Sequence, residues 1–136
     1  ITLAASSGID VKTLQSNDEG VVFLVKADGK TIYHAGDLNW WHWNGEPDFF
    51  NEDIKKSYTT EIDKLKGEAI DVAFVPADLR LEDKYFWAVN YFQQTVGAKV
   101  IFPMHFWGRF DVCHMLKELG FANIMEITEE NESFEI

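Results

Sequence analysis

Residues 71–76, with the sequence DVAFVP, decide the fold of this chain. Four apolar residues in a row are typical of a strand that is covered on both faces of a sheet. A second run of this kind occupies residues 99–102, and a helix is predicted between the two near residues 83–95. Strand, helix and strand in this order indicate a βαβ unit with parallel strands. The same alternation predicts a helix at residues 112–119 and a last strand at residues 123–127.

Upstream of this unit, short β segments are joined by turns. Residues 21–26 and 31–34 are apolar strand candidates, and Asp28-Gly29 between them predicts a tight hairpin. An earlier β-like segment at residues 11–14 ends in a turn-forming cluster at residues 16–20. The first third of the chain is therefore predicted to be a β meander.

A helix is predicted after the Trp-rich loop at residues 40–47. Asn51 is expected to cap this helix, apolar residues recur at helical spacing from Ile54 to Leu65, and Gly67 ends the segment. The predicted fold class is α/β, a β meander followed by βαβ units.

The composition limits the possible functions. Of 136 residues, 23 are acidic and 12 basic, and the net charge of -11 argues against a nucleic-acid surface. With 46% hydrophobic residues the chain is not disordered, yet no apolar run is long enough to span a bilayer. The single cysteine, Cys113, excludes an internal disulfide framework and fits a reducing compartment, so we expect a cytoplasmic protein with no membrane partner.

Polar residues that follow the predicted strands are the candidates for chemistry, because ligands of such sheets gather at the carboxyl ends of the strands. Asp37 and His105 follow two different strands, and a carboxylate with an imidazole suits a divalent metal such as zinc. Taken singly, Asp37 is more often a turn former and His105 a hydrogen-bonded core residue. Spacing alone leaves both interpretations open.

Four sequence blocks, at residues 20–25, 31–37, 71–76 and 101–106, resemble the later part of a metallo-β-lactamase-fold hydrolase. The similarity is greatest to the branch that includes ascorbate phosphate lactonase-like proteins. The resemblance implies the second half of an αββα sandwich. It also implies that Asp37 and His105 are metal ligands.

Two family features are absent. The leading ligand motif His-x-His-x-Asp-His occurs nowhere in the chain, so residues 1–136 are expected to be a single, partial domain completed by a segment upstream of Ile1. The family also has a histidine just before the glycine that corresponds to Gly20. Asp18 could replace that ligand, although an Asx turn is the more frequent role of such a residue.

Several neighbouring residues have two interpretations each. His34 could orient a ligating carboxylate or be a buried, hydrogen-bonded histidine. Asp78 and Arg80 could bind substrate, but a solvated turn is the more frequent role, and Cys113 and His114 are interpreted as structural. An aromatic group could form a substrate pocket or belong to the core, and it consists of Trp40, Trp41, His42 and Trp107.

The predicted function is hydrolysis of a small ester, lactone or related molecule by water that a zinc or manganese ion activates. Asp37 would hold the metal with His105 and accept the proton as water attacks. The chain alone is expected to be inactive without the upstream ligands. The alternative is a catalytically silent portion with a structural or partner-binding role, and a nuclease is a third hypothesis that the charge disfavours. The sequence leaves the oligomeric state open.

Overall fold

The computed structural model describes residues 2–4 and 8–136, and in this part of the chain six strands form one mixed sheet. The order in the sheet is the order in the sequence. The first four strands pair antiparallel, and the fourth, fifth and sixth pair parallel. The strands are β1 (Thr2–Ala4), β2 (Asp10–Gln15), β3 (Val21–Ala27), β4 (Lys30–His34), β5 (Val72–Pro76) and β6 (Val100–Met104). The α/β class and the β meander followed by βαβ units are therefore confirmed.

Within residues 8–136, three α-helices and one 3-10 helix connect and follow the parallel strands. They are α1 (Asp48–Asp63), the 3-10 helix (Leu79–Lys84), α2 (Trp87–Thr95) and α3 (Asp111–Glu118). None of the helices in the described ranges is both long and apolar enough to cross a membrane.

One face of the sheet is packed against the helices. Alternating residues of β3, Val22 and Leu24, point to this face and are at most 2% exposed. Tyr33 of β4 packs there too, and its ring stacks on Phe92 of α2 at 5.0 Å between centroids. Cys113 of α3 belongs to the same core and is a free, buried thiol.

The second face of the sheet is also apolar but only partly covered. Phe23, which is 39% exposed, pairs with His34 on this face. At the opposite end, the rings of Phe74 and Phe102 stack at 5.3 Å, and Phe134 packs on Phe102 at 5.1 Å. A cavity of about 500 Å³ lies between this end of the face and residues 127–136.

Three predicted elements differ from the observed ones. Asn51 does not cap α1, since the helix begins three residues earlier after Pro47, whose ring presets the backbone φ near -60°. The predicted helix at residues 83–95 is shorter than expected, because residues 83 and 84 end the 3-10 helix and α2 begins only at Trp87. The predicted strand at residues 123–127 is reduced to one parallel bridge between Ile101 and Ile124.

Candidate metal centre

Asp37 lies in a turn that only glycine permits. The preceding Gly36 has a φ of 56°, and a Cβ at this position would meet the carbonyl oxygen of Val21 at 2.7 Å. The Ala35 amide donates to the carbonyl of Phe74 before the turn begins. The close approach of β4 to β3 therefore fixes the backbone that carries Asp37.

His105 is the first residue after β6, and its backbone is in the left-handed region. Its φ is 63°, and that of Trp107 is 53°. Such values are uncommon for residues with a Cβ, and they concentrate where a fold holds functional side chains. The turn aims the His105 ring back across the end of the sheet, towards the turn after β4.

The His105 imidazole lies between two carboxylates. Its Nδ1 is 3.0 Å from Oδ2 of Asp78, and its Nε2 is 3.5 Å from Oδ1 of Asp37. Asp78 follows β5, so the three side chains come from the carboxyl ends of three adjacent parallel strands. Asp37 and His105, the two residues predicted as metal ligands, therefore lie next to each other at this edge of the sheet.

Asp78 is the most enclosed charge of the group, and 1% of its side chain is exposed. Burial alone would raise the pKa of its carboxyl group, but hydrogen bonds from the Arg80 side chain, the Arg80 amide and His105 outweigh burial and lower it. The group is therefore ionised at neutral pH and can only accept hydrogen bonds. In a neutral imidazole, Nδ1 must then carry the proton, and the Nε2 lone pair faces Asp37.

Arg80 completes the support of Asp78. Its Nε is 3.0 Å from Oδ1 and its Nη2 is 2.7 Å from Oδ2, which is a two-pronged contact with one carboxylate. The guanidinium also lies over the rings of Trp43 and Trp107, at 5.7 Å and 5.2 Å from their centroids. The solvated turn expected for Asp78 and Arg80 is thus wrong for Asp78, because this network encloses it.

Trp41 forms a wall over the pair of candidate ligands. Its ring meets the His105 ring edge to face at 5.1 Å, and its indole Nε1 donates to the Asp37 carbonyl at 2.9 Å. Trp107 contacts the other side of His105 at 5.7 Å. Beside His105 lies an open apolar depression of about 510 Å³ between residues 102–107 and Ile127.

Trp40 and His42 lie in a different place from Trp41 and Trp107. Trp40 and His42 both contact Trp87 of α2, at centroid distances of 5.2 Å and 4.8 Å. The four aromatic residues predicted to share a pocket are therefore divided between two sites, because neighbouring residues of the loop point in opposite directions.

His34 and Asp18 do not contact Asp37 among the described interactions. His34 is exposed and its Nδ1 accepts a hydrogen bond from the Gly36 amide, so it stabilises the turn before Asp37. Asp18 is also exposed, and its amide donates to the Ser16 hydroxyl in a local turn. Its negative charge acts on Arg80 and helps to raise the pKa of that guanidinium.

Two asparagines that the sequence analysis missed hold the loop after β4. Asn17 donates to the Asn39 carbonyl at 2.8 Å, and the Asn39 amide donates back to the Asn17 side chain. Asn51, predicted as a helix cap, instead binds the backbone amide and carbonyl of Trp43 from within α1. No sequence spacing indicates these contacts, which form only once the loop has folded over the helix.

The candidate metal centre brings together the two predicted ligand side chains, Asp37 and His105. Within residues 8–136, whose side chains the structure describes, no group of three or more His, Cys, Asp or Glu residues is arranged to hold a metal ion. Asp78 faces Nδ1 of His105, on the opposite side of the ring from Asp37, so its role is to hold the imidazole in place.

Comparisons with known proteins give little further information. No protein-family model matches the chain, and no curated protein matches it. A solved structure from Thermotoga maritima, described as a "putative zn-dependent hydrolase of the metallo-beta-lactamase superfamily", is similar at 21% sequence identity with a TM-score of 0.49. The match covers 77% of this chain and 45% of the other, so this chain spans less than half the length of that protein. This likeness is too distant to assign the chain to a family.

Proposed function

We propose that Asp37 and His105 are two ligands of a divalent metal, zinc or manganese, in a hydrolase of small esters, lactones or related molecules. The observation that carries the proposal is the pair of donor atoms, Nε2 of His105 and Oδ1 of Asp37, at 3.5 Å with the opposite ring nitrogen fixed by Asp78. The remaining ligands would come from an upstream segment of the same protein, as the four sequence blocks imply.

The donor pair fits one metal ion. Two ligands that are each about 2.0–2.1 Å from a tetrahedral zinc lie about 3.4 Å apart, and the observed separation is 3.5 Å. A histidine that binds a metal through one ring nitrogen usually donates a hydrogen bond from the other nitrogen to a carboxylate. The oxygen and nitrogen donors suit either zinc or manganese, so this pair alone does not select between them.

Each residue of the site has a role in the proposed reaction. A divalent metal, when bound, lowers the pKa of water to about 7 and polarises a carbonyl oxygen of the substrate. Asp37 has a second oxygen that can take the proton of the attacking water. Trp41 shields His105 from bulk water, and the apolar depression beside His105 can hold the hydrocarbon part of a small substrate.

The second face of the sheet supports the idea that this chain is part of a larger fold. Phe23 and Val21 are exposed there, and they belong to the same surface as the stacked Phe74 and Phe102. Exposed apolar side chains grouped on one face are typical of a contact with another part of the protein or with a partner. In an αββα sandwich, a second sheet would cover this face.

The catalytically silent alternative is favoured by one observation. The described side chains supply two ligands, and stable zinc sites have three or four protein ligands. The same Asp78, His105 and Asp37 contacts would then only brace the ends of the parallel strands. The partner would contact the exposed apolar face.

Metal binding to this chain tests the proposal. Zinc and manganese are titrated into ¹⁵N-labelled protein while the imidazole resonances of all four histidines are followed, with a chelating dye to measure affinity. We expect weak binding that shifts Nε2 of His105 and is lost in Asp37→Ala and His105→Ala.

The matched control variants are Asp83→Ala and His114→Ala, which remove the same residue types from exposed positions. Binding that survives both ligand substitutions, or that shifts only His114, would overturn the metal assignment. Metal binding at His105 without hydrolysis of any ester or lactone by the protein that carries the upstream ligands would favour the silent alternative.

A further inference from the structure

A second cleft lies between the Trp-rich loop, α1 and α2, away from the candidate metal centre. It has a volume of about 460 Å³, which is within the range of small-molecule sites. Neither Asp37 nor His105 lines it. We propose that this cleft binds a neutral, hydroxylated ring, the chemistry of a monosaccharide. The proposal does not depend on the proposed hydrolase function.

The floor of the cleft consists of aromatic rings set at steep angles to each other. Trp40 meets Trp87 at 72° and Tyr91 at 77°, while His42 meets Trp87 at 61°. In each of these three contacts the two rings are steeply inclined, so none of the three pairs forms a parallel-sided slot for a flat heterocycle. Their faces and edges suit the C–H groups of a puckered ring, since an aromatic surface packs against any apolar patch of matching shape.

The rim of the cleft carries polar groups with unused hydrogen-bonding capacity. Gln94 donates to the Asn90 side-chain oxygen at 3.3 Å, which leaves the Asn90 amide nitrogen and the Gln94 oxygen without a partner among the described residues. The two groups offer one donor and one acceptor side by side. A hydroxyl group both donates and accepts, so neighbouring hydroxyls of a sugar match this pair.

The charges at the rim favour a neutral ligand. Glu52 and Lys55 lie one turn apart on α1 and both line the cleft, and neither forms an ion pair with another described residue. Their charges cancel, so an anion or a cation gains little from the rim as a whole. The nearby Lys84 is already paired with Asp83 at 2.6 Å and lies over the Trp87 ring.

The test is a titration of ¹⁵N-labelled protein with glucose, galactose, mannose and xylose, followed through the five tryptophan indole resonances. We expect at least one sugar to shift the Trp40 and Trp87 resonances in a saturable manner, while those of Trp43 and Trp107 stay unchanged. Gln94→Ala should weaken this binding by roughly fivefold or more, because it removes one of the paired rim groups.

The matched control is Lys56→Ala, next to Lys55→Ala on the same helix but outside the cleft. Lys55→Ala should weaken binding and Lys56→Ala should leave it unchanged. Adenosine and glucuronate serve as a flat heterocycle and a charged sugar. Tighter binding of either one than of every neutral sugar, or no sugar-dependent shift of Trp40 and Trp87, would overturn the proposal.

Discussion

Two histidines in this molecule each lie between two carboxylates, and their surroundings differ. His105 contacts Asp78 and Asp37 at 3.0 and 3.5 Å, and the Asp78 side chain is 1% exposed. His114 on α3 contacts Glu126 and Glu118 at 3.2 and 3.1 Å, and all three of these side chains are at least 39% exposed. The distances alone do not separate the two sites.

Burial of the partner is what distinguishes them. Asp78 is fixed by Arg80 and by the Trp107 indole, so the orientation of His105 is set before any ligand arrives. The partners of His114 are long side chains in water, where ion pairs are weakened by side-chain entropy and by salt. The same three chemical groups therefore make a preorganised site in one place and a surface contact in the other.

Of the substitutions that test this comparison, removal of Asp78 should have the largest effect on stability. Asp78→Ala deletes a buried acceptor that binds Arg80, His105 and Trp107, so we expect a loss of about 2–3 kcal/mol in the free energy of unfolding. Urea denaturation at neutral pH measures it. The control is Asp83→Ala, an exposed aspartate of the same 3-10 helix, which should stay close to wild type.

The pH dependence of Asp78→Asn sharpens this prediction. Because the folded protein lowers the pKa of Asp78, the stabilisation is present above the ordinary aspartate pKa of about 3.9 and is lost as pH falls through the folded value. The wild type and Asp78→Asn should therefore differ in stability at neutral pH and converge in acid. An equal difference at all pH values would contradict the role of the charge.

Arg80→Ala should have an intermediate effect on the free energy of unfolding. Its side chain is 53% exposed, so solvent screens the pairing, and we expect a loss of about 1 kcal/mol. Removal of the guanidinium should also raise the pKa of Asp78, so that acid unfolding begins at a higher pH. Arg109→Ala is the control, because Arg109 forms a similar contact with Asp111 where both side chains are more than half exposed. A shift of acid unfolding in Arg109→Ala as large as in Arg80→Ala would contradict this prediction.

The sequence was sufficient to predict strands β2 to β6, whereas β1 was not predicted and the strand expected at residues 123–127 is a single bridge. The joint role of Asp37 and His105 was implied by the resemblance, because spacing alone left two interpretations for each residue. Apolar runs such as residues 72–75 report burial on both faces, and parallel strands end on the same edge of a sheet. Residues that follow such strands therefore lie near the same edge of the sheet. The contact between the Asp37 and His105 side chains is seen only in the folded chain.

The support of the site could not be predicted, because it depends on where each loop residue points. The sequence around Asp78 is typical of a solvated turn, whereas in the folded chain Asp78 is buried and accepts hydrogen bonds from Arg80 and Trp107. Trp40 and Trp41 are adjacent in sequence, yet they line different sites. Spacing along the chain predicts the direction of a side chain in helices and strands, but not in loops.

Substitution of His114 should have the smallest effect on stability. The hydrogen bond that His114 donates to Glu126 and the charge of Glu118 raise the pKa of His114 above its ordinary value of about 6.5. A group with a raised pKa in the folded state adds stability that is fully present below its unfolded pKa and is lost as pH rises through the folded pKa. Thermal unfolding of the wild type and His114→Gln should therefore differ slightly near pH 6 and coincide near pH 9. Because the three groups are exposed, added salt should reduce the difference at the lower pH. A difference in stability that persists at high pH and in salt would show that His114 contributes through packing rather than through its charge. In that case, burial of the carboxylate partner would not be the only difference between His114 and His105.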